Sequence, residues 1–205
     1  MIDTHAHIYL EQFRPDLDQV LESAKETGVE QILMPNVDHS TIDDMMEVEE
    51  RFPSYCTPMM GLHPCSVNQH FESELYRVEE WLEKRPFIAI GEIGTDLYWD
   101  KTTFKYQQEA FRVQVNWASE KALPVVIHCR DSMDETLDLL ESLVTETSKG
   151  VFHCFTGDKQ QADRIIALGF KMGIGGVVTF KNSGLDQTLE EVPLEHLILE
   201  TDSPY

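Results

Sequence analysis

Met1-Ile-Asp-Thr-His-Ala-His7 opens the chain with a short apolar start that runs straight into two histidines. The same pattern returns in Phe87-Ile-Ala-Ile-Gly-Glu92, Val125-Val-Ile-His-Cys129, Gly150-Val-Phe-His-Cys154 and Leu197-Ile-Leu-Glu-Thr-Asp202. Each reads as a strand that finishes on a residue able to ligate a metal. In (β/α)8 enzymes the catalytic groups come from the C-terminal ends of several different strands. Apolar runs that repeatedly end in His, Glu or Asp therefore predict a parallel barrel carrying metal chemistry at one mouth.

Strand-like and helix-like runs alternate along the whole chain, the signature of βαβ units. Strands are expected near 1–5, 31–37, 55–62, 87–93, 124–129, 150–154, 171–177 and 197–202. Helices are expected near 16–28, 39–52, 73–85, 103–122, 132–147, 158–168 and 185–191. Leu17, Val20, Leu21 and Ala24 recur at i, i+3, i+4 and i+7, the apolar stripe of an amphipathic helix. Asp131 is expected to cap the fifth helix. The expected architecture is an α/β, (β/α)8 TIM-type barrel formed by residues 1–205 as one domain, with its eighth helix missing. Such barrels typically take about 250 residues. The outer faces of strands eight and one should then expose apolar surface, open to a further segment of chain or to self-association.

Composition narrows the function. The chain has 205 residues, 41% of them hydrophobic. No apolar run approaches the ~18 residues of a membrane span, and no leader-like segment is read at the start, so a cytoplasmic location is expected. There are 37 Asp and Glu against 16 Lys and Arg, a formal charge of −21. A surface of that sign repels phosphate polymers, whose binding rests on Lys and Arg. A phosphate-bearing substrate would have to be held at the metals, which reverse the sign locally. The four cysteines form no C-x-x-C pair; Cys129 and Cys154, each after a histidine in a strand, should point away from the barrel axis.

His5 and His7 are two residues apart, so on a strand both imidazoles face one way and can reach one ion. Glu92 lies between glycines, which would let the backbone approach a ligand closely. Its carboxylate has two oxygens and can bridge two cations, as an imidazole cannot. His128 and His153, on neighbouring strands five and six, look like ligands of a second ion. Asp202, at the tip of strand eight and beside strand one, is suited to ligate the first ion and to accept the proton of the attacking water. Trp99, with Tyr98, follows Glu92 on the catalytic side and is expected to line the pocket and stack a base.

These residues sit in Asp3-Thr-His-Ala-His7, Gly61-Leu-His-Pro64, Gly91-Glu-Ile-Gly-Thr-Asp-Leu-Tyr-Trp99, Ile127-His-Cys-Arg130, Phe152-His-Cys-Phe-Thr-Gly157 and Leu199-Glu-Thr-Asp-Ser-Pro204. As an ordered set, from one end of the chain to the other, they resemble the motifs of the TatD-related metal-dependent hydrolases, within the amidohydrolase-like barrels. The resemblance implies a two-metal phosphoesterase of deoxyribonuclease type. It implies one metal on His5, His7 and Asp202, a second on His128 and His153, and Glu92 between them. It also implies that His63 faces the substrate phosphate. Arg130 is expected either to do likewise or to pair with an acid such as Glu200. In the family, chain beyond Asp-Ser-Pro-Tyr supplies basic residues and the closing helix; this chain stops there.

The expected function is thus a divalent-metal-dependent hydrolase cleaving phosphodiesters in single-stranded or frayed DNA, with two zinc, manganese or magnesium ions. The histidines favour a transition metal over magnesium. Two other readings remain open from the residues. The same constellation can serve a carboxyl ester, lactone or amide, since a fold and its metal set do not fix a substrate. The chain can also be a metal-binding scaffold without catalysis.

Overall fold

The computed structural model describes all residues from Met1 to Tyr205. Eight parallel strands alternate with seven α-helices, and the outcome is the expected barrel. The strands are β1 (Ile2–Asp3), β2 (Gln31–Met34), β3 (Cys56–Pro58), β4 (Ile90–Asp96), β5 (Val125–Arg130), β6 (Gly150–Phe152), β7 (Lys171–Ile174) and β8 (Leu197–Leu199). The helices are α1 (Leu17–Glu26), α2 (Ile42–Arg51), α3 (Phe71–Lys84), α4 (Phe104–Lys121), α5 (Met133–Glu141), α6 (Lys159–Ala167) and α7 (Leu185–Glu190). All the pairings are parallel, as βαβ connections require.

The sheet consists of two arcs. β1-β2-β3 form one and β4-β5-β6-β7-β8 the other. Single bridges close the circle, Met60 with Ile90 at one seam and Ala6 with Ser203 at the other. The second seam is reinforced from both sides. Thr4 N–H donates to Leu199 O (3.2 Å), Asp202 N–H to His5 O (2.9 Å) and His7 N–H to Ser203 O (2.7 Å). The buried carboxylate of Asp3 accepts from the backbone N–H and the hydroxyl of Thr201.

Helices form where the apolar spacing suits them. Leu17 and Leu21, one turn apart, bury the inner face of α1. Ile42, Met45 and Val48 do the same in α2. A reciprocal capping box, with Asp158 accepting from Gln161 N–H and the Gln161 side chain accepting from Asp158 N–H, starts α6. The cap of α5 is Ser132 and not Asp131, because Asp131 itself turns into the left-handed region at φ 54°.

β4 is the axial element, and all seven of its residues are buried. Its ladder with β5 breaks register between Ile90 and Ile93, and such a bulge re-aims the side chains beside it. The glycines around Glu92 serve strand packing, not ligand approach. A Cβ on Gly91 would lie 2.8 Å from Val126 Cβ, and one on Gly94, at φ 147°, would lie 2.0 Å from the carbonyl oxygen of His128. Within residues 1–205 β8 is the last element, and Ile2 and Leu199, on the two strands of that seam, are 44% and 56% exposed.

Most strands are shorter than the sequence pattern suggests. β1 stops at Asp3, β6 at Phe152 and β8 at Leu199, each before its ligating residue. The chain then curls over the barrel mouth, with left-handed backbone at Cys154 (φ 45°) and Asp202 (φ 56°). That curl ends the pleat. Cys129 packs against the core, and both Cys129 and Cys154 reach the cavity wall, so neither points wholly away from the barrel axis.

Candidate metal centre and active-site cavity

The C-terminal mouth of the barrel holds a cavity of about 590 Å³. His7, His63, Glu92, His128, His153 and Asp202 all line it, and His5 lies fully buried beneath. Glu92, almost completely buried, is the hub. Its Oε2 is 3.1 Å from His5 Nε2 and 3.4 Å from His7 Nε2. Its Oε1 is 2.9 Å from His128 Nδ1, 2.9 Å from His153 Nε2 and 3.3 Å from His63 Nε2. The two oxygens of one carboxylate therefore face two different sets of imidazoles. Asp202 Oδ1 reaches the first set, 3.6 Å from His5 Nε2 and 3.8 Å from His7 Nε2.

Ligating atoms lie within 4.8 Å of one another in three overlapping groups: His5, His7 and Glu92; His5, His153 and Asp202; His63, Glu92 and His128. Local hydrogen bonds test whether these groups suit a cation. The Tyr9 hydroxyl donates to Pro35 O (2.5 Å), so its oxygen accepts the Nδ1 proton of His7 (2.9 Å). A neutral His7 then carries a bare lone pair on Nε2, pointed at the Glu92 carboxylate oxygen Oε2 3.4 Å away. Lone pair against lone pair is repulsive unless a positive charge stands between them. The donor set, imidazole nitrogen with carboxylate oxygen, is the chemistry of zinc and of neighbouring transition metals. The site fits a divalent cation.

His63 is held differently. Cys65 N–H donates to its Nδ1 (3.0 Å), which leaves the proton of the neutral ring on Nε2. Burial lowers its pKa and keeps the ring neutral, despite the opposing pull of Glu92. So held, His63 is a hydrogen-bond donor facing the cavity.

Charge is distributed unevenly over the bare side chains. Burial opposes ionisation of Glu92, but His153, His63 and His5 together hold its pKa well below the ordinary value. Burial pushes His5 down to about 4. It pushes Asp202 up to about 6. On His153 burial is outweighed by Glu92 and Glu200, and the pKa rises well above the usual imidazole range. The protein side chains alone thus favour a proton on His153 and another on Asp202 at mildly acid pH.

Three supporting residues were not anticipated. Asp96 Oδ2 lies 2.9 Å from His128 Nε2, and its Oδ1 accepts from the backbone N–H of both Tyr98 and Trp99. Tyr9 fixes His7 as described. Glu200 accepts from Cys154 N–H and sits 3.4 Å from His153 Nδ1, without the alignment of a hydrogen bond. Asp96 shares β4 with Glu92, but Tyr9 and Glu200 lie beyond the strands, where no period marks them.

Arg130 does not pair with Glu200. Its guanidinium stacks 3.8 Å from the Tyr98 ring centroid and 5.5 Å from that of Trp99, and it is the one arginine or lysine side chain lining the cavity. Trp99 also lines it. His39 is turned away in an exposed pair with Glu74.

Comparison with known proteins gives one consistent result. Residues 2–205 match the family model described as TatD related DNase. The chain is 36% identical over 206 residues to a metal-dependent hydrolase, YabD, of Bacillus subtilis, covering 100% of this chain and 80% of that protein. It is 34% identical over 207 residues to the 3′-5′ ssDNA/RNA exonuclease TatD of Yersinia pseudotuberculosis, again covering 100% of this chain and 80% of the other. Among solved structures, the TatD homologue YjjV of Escherichia coli superposes with a TM-score of 0.92 at 33% identity, over 100% of this chain and 79% of that one.

Proposed function

This chain belongs to the TatD related DNase family of metal-dependent hydrolases, and on that premise we propose that it hydrolyses phosphodiester bonds in single-stranded nucleic acid, DNA foremost. The observation that carries the reading is the arrangement around Glu92, whose two oxygens face separate sets of imidazoles across a cavity lined by one unpaired cation, Arg130. We assign His5, His7, Glu92 and Asp202 to one divalent ion and Glu92, His128 and His153 to a second. The ions are zinc, manganese or magnesium. Bound cations supply a polarised phosphoryl group and a water that ionises near neutral pH.

The remaining work falls to the protein. Asp202, partly open to the cavity beside the imidazoles, takes the proton of the attacking water. His63 donates its Nε2 proton to a non-bridging phosphoryl oxygen as negative charge builds there. Arg130 holds the neighbouring phosphate and Trp99 stacks the base. All four cysteines are free thiols, in keeping with the cytoplasm. No helix is long and apolar enough to cross a membrane.

The test is a 3′-labelled single-stranded oligonucleotide offered to metal-stripped protein restored with magnesium, manganese or zinc, beside Asp202→Asn. Metal-dependent cleavage lost in the variant supports the reading. Turnover of carboxyl esters without cleavage of any phosphodiester would replace it with a carboxyl-ester hydrolase.

A further inference from the structure

Beyond the cavity, the segment Tyr98-Trp-Asp-Lys-Thr-Thr-Phe-Lys-Tyr106 has a composition unlike the rest of this acidic chain. Three of its aromatics are in water: Trp99 is 69% exposed, Tyr98 51% and Tyr106 41%. Two exposed lysines, Lys101 and Lys105, alternate with them. Lys101, Lys105 and Arg130 are among the Lys and Arg side chains that make no ion pair, in contrast to Arg14, Arg51, Arg85 and Arg164. The segment's one acid, Asp100, is turned back on Thr102, accepting from its N–H and its hydroxyl.

The segment is anchored to the candidate centre. Asp96, which contacts His128, also accepts from the N–H groups of Tyr98 and Trp99. The Gln107 side chain accepts from Asp96 N–H and donates to Asp96 O, tying the start of α4 to the end of β4. Arg130 stacks on Tyr98, Tyr98 meets Trp99 edge to face at 4.9 Å, and Tyr106 packs 5.8 Å from Phe71 at the start of α3. The result is a fixed ledge of ring faces and positive charges running outward from a cavity wall. Aromatic rings interleaved with cations are how proteins follow a single strand without reading its sequence, the rings taking bases and the cations following phosphates.

We infer that this ledge, Tyr98 to Tyr106 with Arg130 and Phe71, is a strand-guiding surface that binds the nucleotides adjacent to the one at the cleavage site. The inference rests on the nucleic-acid reading above and adds to it a specific prediction, that affinity grows with strand length through Lys101, Lys105 and Tyr106. The occupant is single-stranded nucleic acid, because local positive charge on a chain of net charge −21 complements a polyanion and the ledge is continuous with the cavity.

The experiment titrates the metal-loaded protein with phosphorothioate-linked (dT)8 and (dT)2, following tryptophan fluorescence over a range of salt. The longer strand should bind about tenfold or more tightly, and Tyr106→Ala should remove about tenfold of that advantage. In Lys101→Gln/Lys105→Gln the slope of log affinity against log salt for (dT)8 should shrink by about 0.7 per lysine. The lysine variants are exposed surface changes and stay informative if Tyr106→Ala fails to fold. Equal affinity for the two strands, or an unchanged salt slope, would overturn the ledge. Hydrolysis of bis(p-nitrophenyl) phosphate by the unaltered protein reports separately on the phosphodiester reading. Turnover of that ester without length-dependent binding loses the ledge alone. Length-dependent binding without turnover of any phosphodiester keeps the ledge and loses the reaction.

Discussion

The Tyr9 hydroxyl stands 2.9 Å from His7 Nδ1 and gives its own proton to Pro35 O. This relay dictates which nitrogen of His7 is free. Partners of this kind typically account for 10–100-fold in metal affinity. Tyr9→Phe should therefore weaken metal binding by about that factor while the barrel stays folded. Calorimetric titration with zinc checks the affinity, and ¹⁵N shifts of the His7 ring check the tautomer.

Asp96 has two duties on its two oxygens, and Asp96→Asn separates them. The amide carbonyl can still accept from Tyr98 and Trp99 N–H, while the group facing His128 loses its charge. Without a cation, His128 is raised in pKa despite its burial, held up by Asp96 and Glu92. The variant should lower that pKa and cut affinity for the ion assigned to Glu92, His128 and His153 about 10–100-fold. Histidine proton resonances followed against pH, and metal content after dialysis, give the two readings.

Metal binding should carry a defined pH dependence. Asp202 must lose its proton to ligate, and burial puts that loss at about pH 6. Its folded pKa lies above the ordinary aspartate value of about 3.9. In metal-free protein its contribution to stability is therefore full below that value and is lost as pH rises through about 6. Binding to a cation reverses the preference. The rise in melting temperature on adding zinc or manganese should be larger at pH 7.5 than at pH 5, and binding at pH 5 should release more protons than at pH 7.5. Scanning calorimetry and titration in buffers of different ionisation enthalpy test both statements.

Gly94→Ala should be severe. The new methyl would stand 2.0 Å from the backbone oxygen of His128, which cannot move without breaking the β4–β5 ladder, and φ 147° is strained for alanine. A loss of more than about 3 kcal/mol is expected from clash and strain combined. Urea unfolding measures it. Gly176→Ala, where nothing lies within 4 Å of the added carbon, is the matched control.

The order of elements was legible because a parallel barrel writes itself into alternating periods, and because His5, His7, His153 and Asp202 stand just past strand ends while Glu92 and His128 lie within β4 and β5. Strand limits were read too long at Cys154 and Asp202. Left-handed backbone at a residue other than glycine leaves no trace in hydrophobic periodicity. Tyr9 and Asp96 were missed for another reason. Their roles depend on a hydrogen bond made by the second atom of a ligating ring, which spacing alone cannot express. The glycines around Glu92 were visible, but their purpose lay across the sheet at Val126 and His128.

The seam between β1 and β8 joins Thr4 to Leu199 and Asp3 to Thr201, residues nearly two hundred apart along the chain. Contacts of such separation form late, because the entropy of closing the loop precedes their reward. His5 and His7 are made long before Asp202, the residue that reaches them across this seam. A chain made only as far as β4 has His5, His7, His63 and Glu92 but no second wall to its cavity. That side of the cavity is thereby complete only once Asp202 meets His5 and His7, whatever else of the barrel has already formed.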